Sequence, residues 1–166
     1  LLNRYFVRAE DVYSIQLATS YYSFGNTERS YIPVGSLTHS ELHDIAVQGQ
    51  GKLHWVPTYD FTVMFDEPSM AGIEFDYRYM FSAVRQLNSS YFHNGVFSDL
   101  DPNVERPLLI VNFKEQFFRD LFEVGVPIEG TSFLVLTPEG RIVSHSDRAR
   151  LTRTEEADWF DRLGSR

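Results

Sequence analysis

An α+β fold is predicted by three features of the sequence: an antiparallel sheet flanked by helices, followed by the start of a second, incomplete sheet. Segments of alternating polarity recur at 12–19, 51–60 and 73–88, which is the period of half-buried strands. Helical patterns separate them instead of alternating with every strand, which favours an antiparallel sheet over βαβ units. "FLVLTPEGRIVSHSD" at 133–147 then pairs two apolar runs around Pro138-Glu139-Gly140, a hairpin signal close to the end of the chain.

In order along the chain, Leu2, Tyr5, Phe6 and Ala9 fall at helical spacing, so 1–10 reads as the end of a helix. Residues 12–19 read as a strand, and "YYSF" continues after a turn until Gly25-Asn26. "SLTHSELHDIAVQG" is a helix, with Thr38 and Glu41 in a capping-box pattern and Gly49 as its stop. "KLHWVPTYDF" is a strand that Pro57 is expected to interrupt, since proline cannot donate to a ladder. "MFDEPSMAG" is a loop, and "IEFDYRYMFSAVRQLN" a long aromatic strand. Residues 89–106 read as a polar insert, and "PLLIVNF" as a buried central strand. The stretch 112–124 is an amphipathic helix striped by Phe117, Phe118, Leu121 and Phe122, with Asn112 to cap it and Gly125 to end it. Ile15, Leu17, Phe81, Leu109 and Val111 are the expected sheet core.

Composition narrows the partners. The chain has 166 residues and a net charge of −8, which argues against nucleic acid or anionic lipid as the main partner. Its 14 Phe and 9 Tyr are enough for a sizeable core, and it has no Cys for disulfides or thiolate chemistry. No run of 18 apolar residues and no signal-peptide pattern is present. The opening "LLNRYFVRAEDVYS" is expected of a piece of a longer protein.

Candidate chemistry is thin. His39 and His43 stand at i, i+4, but Ser40 occupies the place of the metalloprotease glutamate and no third ligand is evident. No metal and no catalytic residue is therefore assigned. "SHSD" at 144–147 offers Ser, His and Asp, but neighbouring strand residues point to opposite faces. Ser146 and Asp147 are expected to bond local backbone instead. "GNTERS" and "PEG" are not phosphate loops, so no nucleotide or other cofactor is expected. A small hydrolase using His43, His145 or Asp60 is the rival reading. The stronger constellation is aromatic: Trp55, Tyr59, Tyr77 and Tyr79, with Arg85 sharing the face of the last two. Rings and one placed cation suit a small-molecule pocket. They also suit a plain core.

"GKLHWVPTYD", "YMFSAVRQLN", "PLLIVNFKEQFFRDLF" and "FLVLTPEGRIVSHSD" occur in one order and spacing. Together they resemble the extracellular sensor region of YesM-type two-component sensor histidine kinases, over roughly residues 11–151. The resemblance implies a double-Cache arrangement of PAS-like modules: residues 1–124 as the membrane-distal module with its connector helix, and 125–166 as the beginning of a second, truncated one. It further implies an extracellular domain of a membrane-anchored, homodimeric receptor that binds a small molecule or a solute-binding protein; the aromatic constellation of Trp55, Tyr59, Tyr77 and Tyr79 with Arg85 is the expected ligand site. A chemotaxis receptor or cyclase would share the fold with a different output. The second module departs from the family where "RARLTRTEEADW" replaces the usual Leu-Gly continuation.

Overall fold

The computed structural model describes residues 12–25, 32, 35–65, 77–87, 90–99, 101, 103–125 and 130–155. The expected helix at 1–10, the loop at 66–72, the first part of the long strand and the end of the chain lie outside the described residues. Nine strands are described. β1 (Val12–Ala18), β2 (Ser23–Gly25), β3 (His54–Asp60), β4 (Tyr79–Gln86) and β7 (Leu108–Lys114) form one sheet in the order β2-β1-β7-β4-β3. Its described pairings are all antiparallel. β5 (Ser90–His93) with β6 (Val96–Asp99), and β8 (Leu134–Leu136) with β9 (Ile142–His145), form two hairpins. With α1 (Glu41–Gln48), α2 (Phe61–Met64) and α3 (Gln116–Gly125), this is the PAS-like α+β arrangement that the sequence predicts.

The sheet has two covered faces. On one, Leu42 and Ala46 of α1 pack with Val56, Met80, Val84, Leu108 and Ile110. On the other, Phe117 and Phe118 of α3 pack on Phe81, Ala83 and Phe113. β7, apolar on both sides, is the central strand, as read from "PLLIVNF".

Several expectations are corrected. The helix cap is Ser40, whose Oγ accepts from the His43 amide at 3.3 Å, while Thr38 donates to the Gly35 carbonyl from a 3₁₀ turn. Asn112 does not cap α3; it lies within β7, and the helix starts at Gln116. Pro57 interrupts the pairing of its strand, as expected, but does not end the strand. β3 is an edge strand, and Pro57 sits where its register slips between Val56 and Tyr59. A bulge on an edge tolerates the missing donor, and pairing resumes at Tyr59↔Met80. The insert 89–106 contains a hairpin whose turn, Asn94-Gly95, has positive φ at both residues.

Of the five expected core residues, one is buried. Phe81 is buried, but Ile15 is 41% exposed, and Leu17, Leu109 and Val111 are only half-buried. β1 instead turns Ser14, Gln16 and Ala18 inward. A register slip between Val12 and Ser14 lets Tyr13 join the same core.

Candidate functional site

Four strands place a row of polar side chains beneath α1. Ser14, Asn112 and Ser82 lie in register on β1, β7 and β4, and Tyr59 reaches the row from β3. Asn112 Nδ2 donates to Ser14 Oγ at 2.8 Å, and its Oδ1 accepts from Ser82 Oγ at 2.6 Å and from the Tyr59 hydroxyl at 3.1 Å. Tyr59 Oη and Ser82 Oγ are 2.8 Å apart. All four residues are buried. Burial keeps the Tyr59 phenol protonated far above its ordinary value, against a smaller opposing effect of the bond with Ser82. The bulge at Pro57 explains Tyr59's position: it brings Val56 and Tyr59 to one face although three positions separate them.

Trp55 lies on the opposite face. Its ring stands 6.0 Å from Phe81 and 5.8 Å from Phe113, and 60% of it is exposed. Phe81 stacks on Phe113 at 5.1 Å and meets Phe118 at 4.7 Å. Beside these rings is a largely apolar cavity of about 220 Å³, lined by Trp55, Val56, Pro57, Phe81, Phe118, Thr137 and Val143. It lies at the seam where the β8–β9 hairpin meets β3 and α3.

That seam is well tied. Thr58 Oγ1 donates to the Val143 carbonyl at 2.5 Å, Arg141 pairs with Glu41 at 2.6 Å, and the Phe122 and Phe133 rings stack at 5.2 Å. The central knot is Glu115, fully buried between β7 and α3. Its carboxylate accepts from the Tyr77 hydroxyl, from Arg119 Nη2 at 3.0 Å and from Ser144 Oγ. Burial first, and then the Glu115 carboxylate, push the Tyr77 phenol far above its ordinary value. Arg148 lies 5.6 Å over the Tyr77 ring.

The five sequence-predicted site residues are therefore not brought into one cavity. Trp55 lines the seam cavity, Tyr59 belongs to the polar row and Tyr77 bonds Glu115. Tyr79 is half-buried with the Arg78 guanidinium 5.6 Å from its ring centre, and Arg85 is exposed. Ser14, Ser82 and Asn112 of the polar row, and Glu115 with Ser144, are two networks that the sequence does not reveal, because their partners come from distant parts of the chain. The rival hydrolase residues are held separately. Asp60 caps α2 and binds Arg78, His145 Nδ1 accepts the Asp147 amide at 2.7 Å, and His43 is 3.4 Å from Asp44. Asp147 bonds the Ala149 amide, the local pattern expected of "SHSD", whereas Ser146 accepts from the Phe133 amide across the hairpin. Among the described residues, no group of three His, Asp or Glu could hold a metal ion, and no helix is long and apolar enough to cross a membrane.

No family model and no curated protein matches the chain. Among solved structures, the ligand-binding domain of an amino-acid chemoreceptor of Pseudomonas aeruginosa, solved in complex with GABA, is similar to it. The TM-score is 0.47 and the identity 12%, over 89% of this chain and 55% of that one. The chain thus spans about half the length of that domain.

Proposed function

We propose that the chain is the signal-recognition region of a membrane-bound sensor histidine kinase, placed on the extracellular face of the membrane. In this reading the full-length receptor is a homodimer, and its partner is a small molecule or a solute-binding protein. The fragment itself senses and does not catalyse. The observation that carries the reading is the place of Glu115. β7 holds Asn112 of the polar row and runs, within three residues, into a buried carboxylate at the head of α3. That carboxylate is bonded by Tyr77 of the first unit and by Ser144 of the hairpin. A displacement of the sheet by a ligand therefore has a direct mechanical route to the hairpin, as a sensor requires. The ordered likeness of 11–151 to sensor regions of YesM-type kinases points the same way. Binding that favours one arrangement of this junction biases a downstream two-state output.

A thermal-shift screen of sugars, amino acids, organic acids and small aromatics tests it. A true ligand at 100 times its Kd stabilises by about 2.7 kcal/mol, a rise in Tm of about 5–10 °C for a domain of this size. No shift with any class and no capture of a solute-binding protein, together with turnover of a generic ester, phosphate or glycoside, would overturn the proposal in favour of the hydrolase.

A further inference from the structure

We infer that the seam cavity is a binding site for an uncharged aromatic molecule of one or two rings. Its place as a signal site rests on the sensory function proposed above; its ligand chemistry rests on the lining. Trp55, Phe81 and Phe118 supply three aromatic rings, Pro57 and Val143 supply aliphatic surface, and Val56, whose side chain is in the core beneath α1, also borders it. Among the described residues, no charged side chain lines it. A carboxylate or ammonium placed against these walls would lose part of its hydration without a partner, and a sugar would turn several hydroxyls toward apolar surface. Flat apolar rings lose nothing of the kind and gain edge and face contacts with the aromatic walls.

Size and polarity sharpen the class. An enclosed apolar cavity of about 150 Å³ accommodates benzene, and this half-open one, at about 220 Å³, has room for a fused second ring. Thr137 is the one hydroxyl among the described lining residues. Its Oγ1 accepts from the Arg141 amide at 3.2 Å and keeps one further acceptor site and its own O–H donor. A ring with a single N–H or O–H fits this pattern. The exposed face of Trp55 gives such a ligand a wall that it would cover.

The walls also explain what occupancy does. They come from the edge strand β3, from β4, from α3 and from the hairpin. A ring in the cavity bridges all of them and fixes the hairpin against the connector helix.

Isothermal titration of the 166-residue chain with indole, and with benzoate as a charged ring of similar size, tests the site. Saturable single-site binding of indole is expected, with benzoate at least tenfold weaker. Val143→Phe, which fills the cavity, should weaken indole binding at least tenfold. Trp55→Ala, at a largely exposed position, should do the same with an unchanged circular dichroism spectrum, and serves if Val143→Phe does not fold. Absence of saturable indole binding, equal affinity for benzoate, or unchanged affinity in the folded variants overturns the inference. Indole binding without a response of the full-length receptor upholds the site and counts against the sensory reading.

Discussion

Ser144 of β9 donates a hydrogen bond to the fully buried Glu115 carboxylate at the head of α3. The hairpin near the end of the chain is thereby anchored to the sheet that precedes it. Ser144→Ala leaves one carboxylate oxygen short of a donor in a dry site, a loss of about 1–3 kcal/mol. Amide exchange in 134–145 should accelerate by roughly tenfold or more, with β1, β4 and β7 unchanged. Hydrogen-exchange mass spectrometry separates this from general destabilisation, in which all segments would accelerate together.

Asn112→Ala removes the hub of the polar row: Ser14 loses its donor, and Ser82 and Tyr59 keep only each other. A loss of about 2–4 kcal/mol is expected from several unsatisfied buried groups. Tyr59→Phe should cost less, about 1 kcal/mol, because Ser82 retains Asn112 as its acceptor. Urea unfolding of both variants and the double variant gives the coupling between them. Tyr59→Ala, by contrast, would empty a core position and cost about 3–5 kcal/mol, in the range of large aromatic truncations. It is therefore not a fold-neutral probe of a pocket.

Ile110→Ala should destabilise by about 2–5 kcal/mol, as a fully buried aliphatic on the central strand. Leu109→Ala should cost less, about 1 kcal/mol, because Leu109 is only half-buried on the other face. Equal losses at the two positions would contradict the observed strand parity.

That parity shows where sequence reading succeeds and stops. The strands, the amphipathic α3, the PEG hairpin and the central place of "PLLIVNF" follow from local periodicity and turn chemistry. The inward face of β1 does not. Ser14 and Gln16 look like solvent positions beside Ile15 and Leu17, and only a partner such as Asn112, 98 residues away, makes Ser14 an interior residue. Trp55 and Tyr59 share a face by simple alternation, and the bulge at Pro57 separates them. The β5–β6 hairpin was legible in Asn94-Gly95, flanked by "YFH" and "VFS". The charged and polar composition of 89–106 concealed it.

Asp60 governs an acid-side contribution to stability. Partial burial pushes its carboxyl up, but the bonds and charge from Arg78, with the bonds from Thr62, outweigh this and hold it below its ordinary value. A depressed folded-state pKa stabilises above the unfolded value, about 3.9 for Asp, and the contribution is lost as pH falls through the folded value. Arg78→Met should remove part of this stabilisation near neutrality and flatten the loss below about pH 4. Urea midpoints measured between pH 2 and 7 check the sign: a variant that loses stability in acid as steeply as the parent contradicts it.

The most direct test of the central claim is hydrogen exchange on this chain with and without the compound that raises its Tm most. The account predicts coupled protection: slowed exchange at the ligand site, at the junction of β7 and α3 around Glu115, and in the β8–β9 hairpin. Ser144→Ala should uncouple the hairpin while ligand still binds. Saturable binding that leaves exchange in the hairpin unchanged in the parent chain would contradict the account, because Glu115 would then be a structural anchor and not a relay.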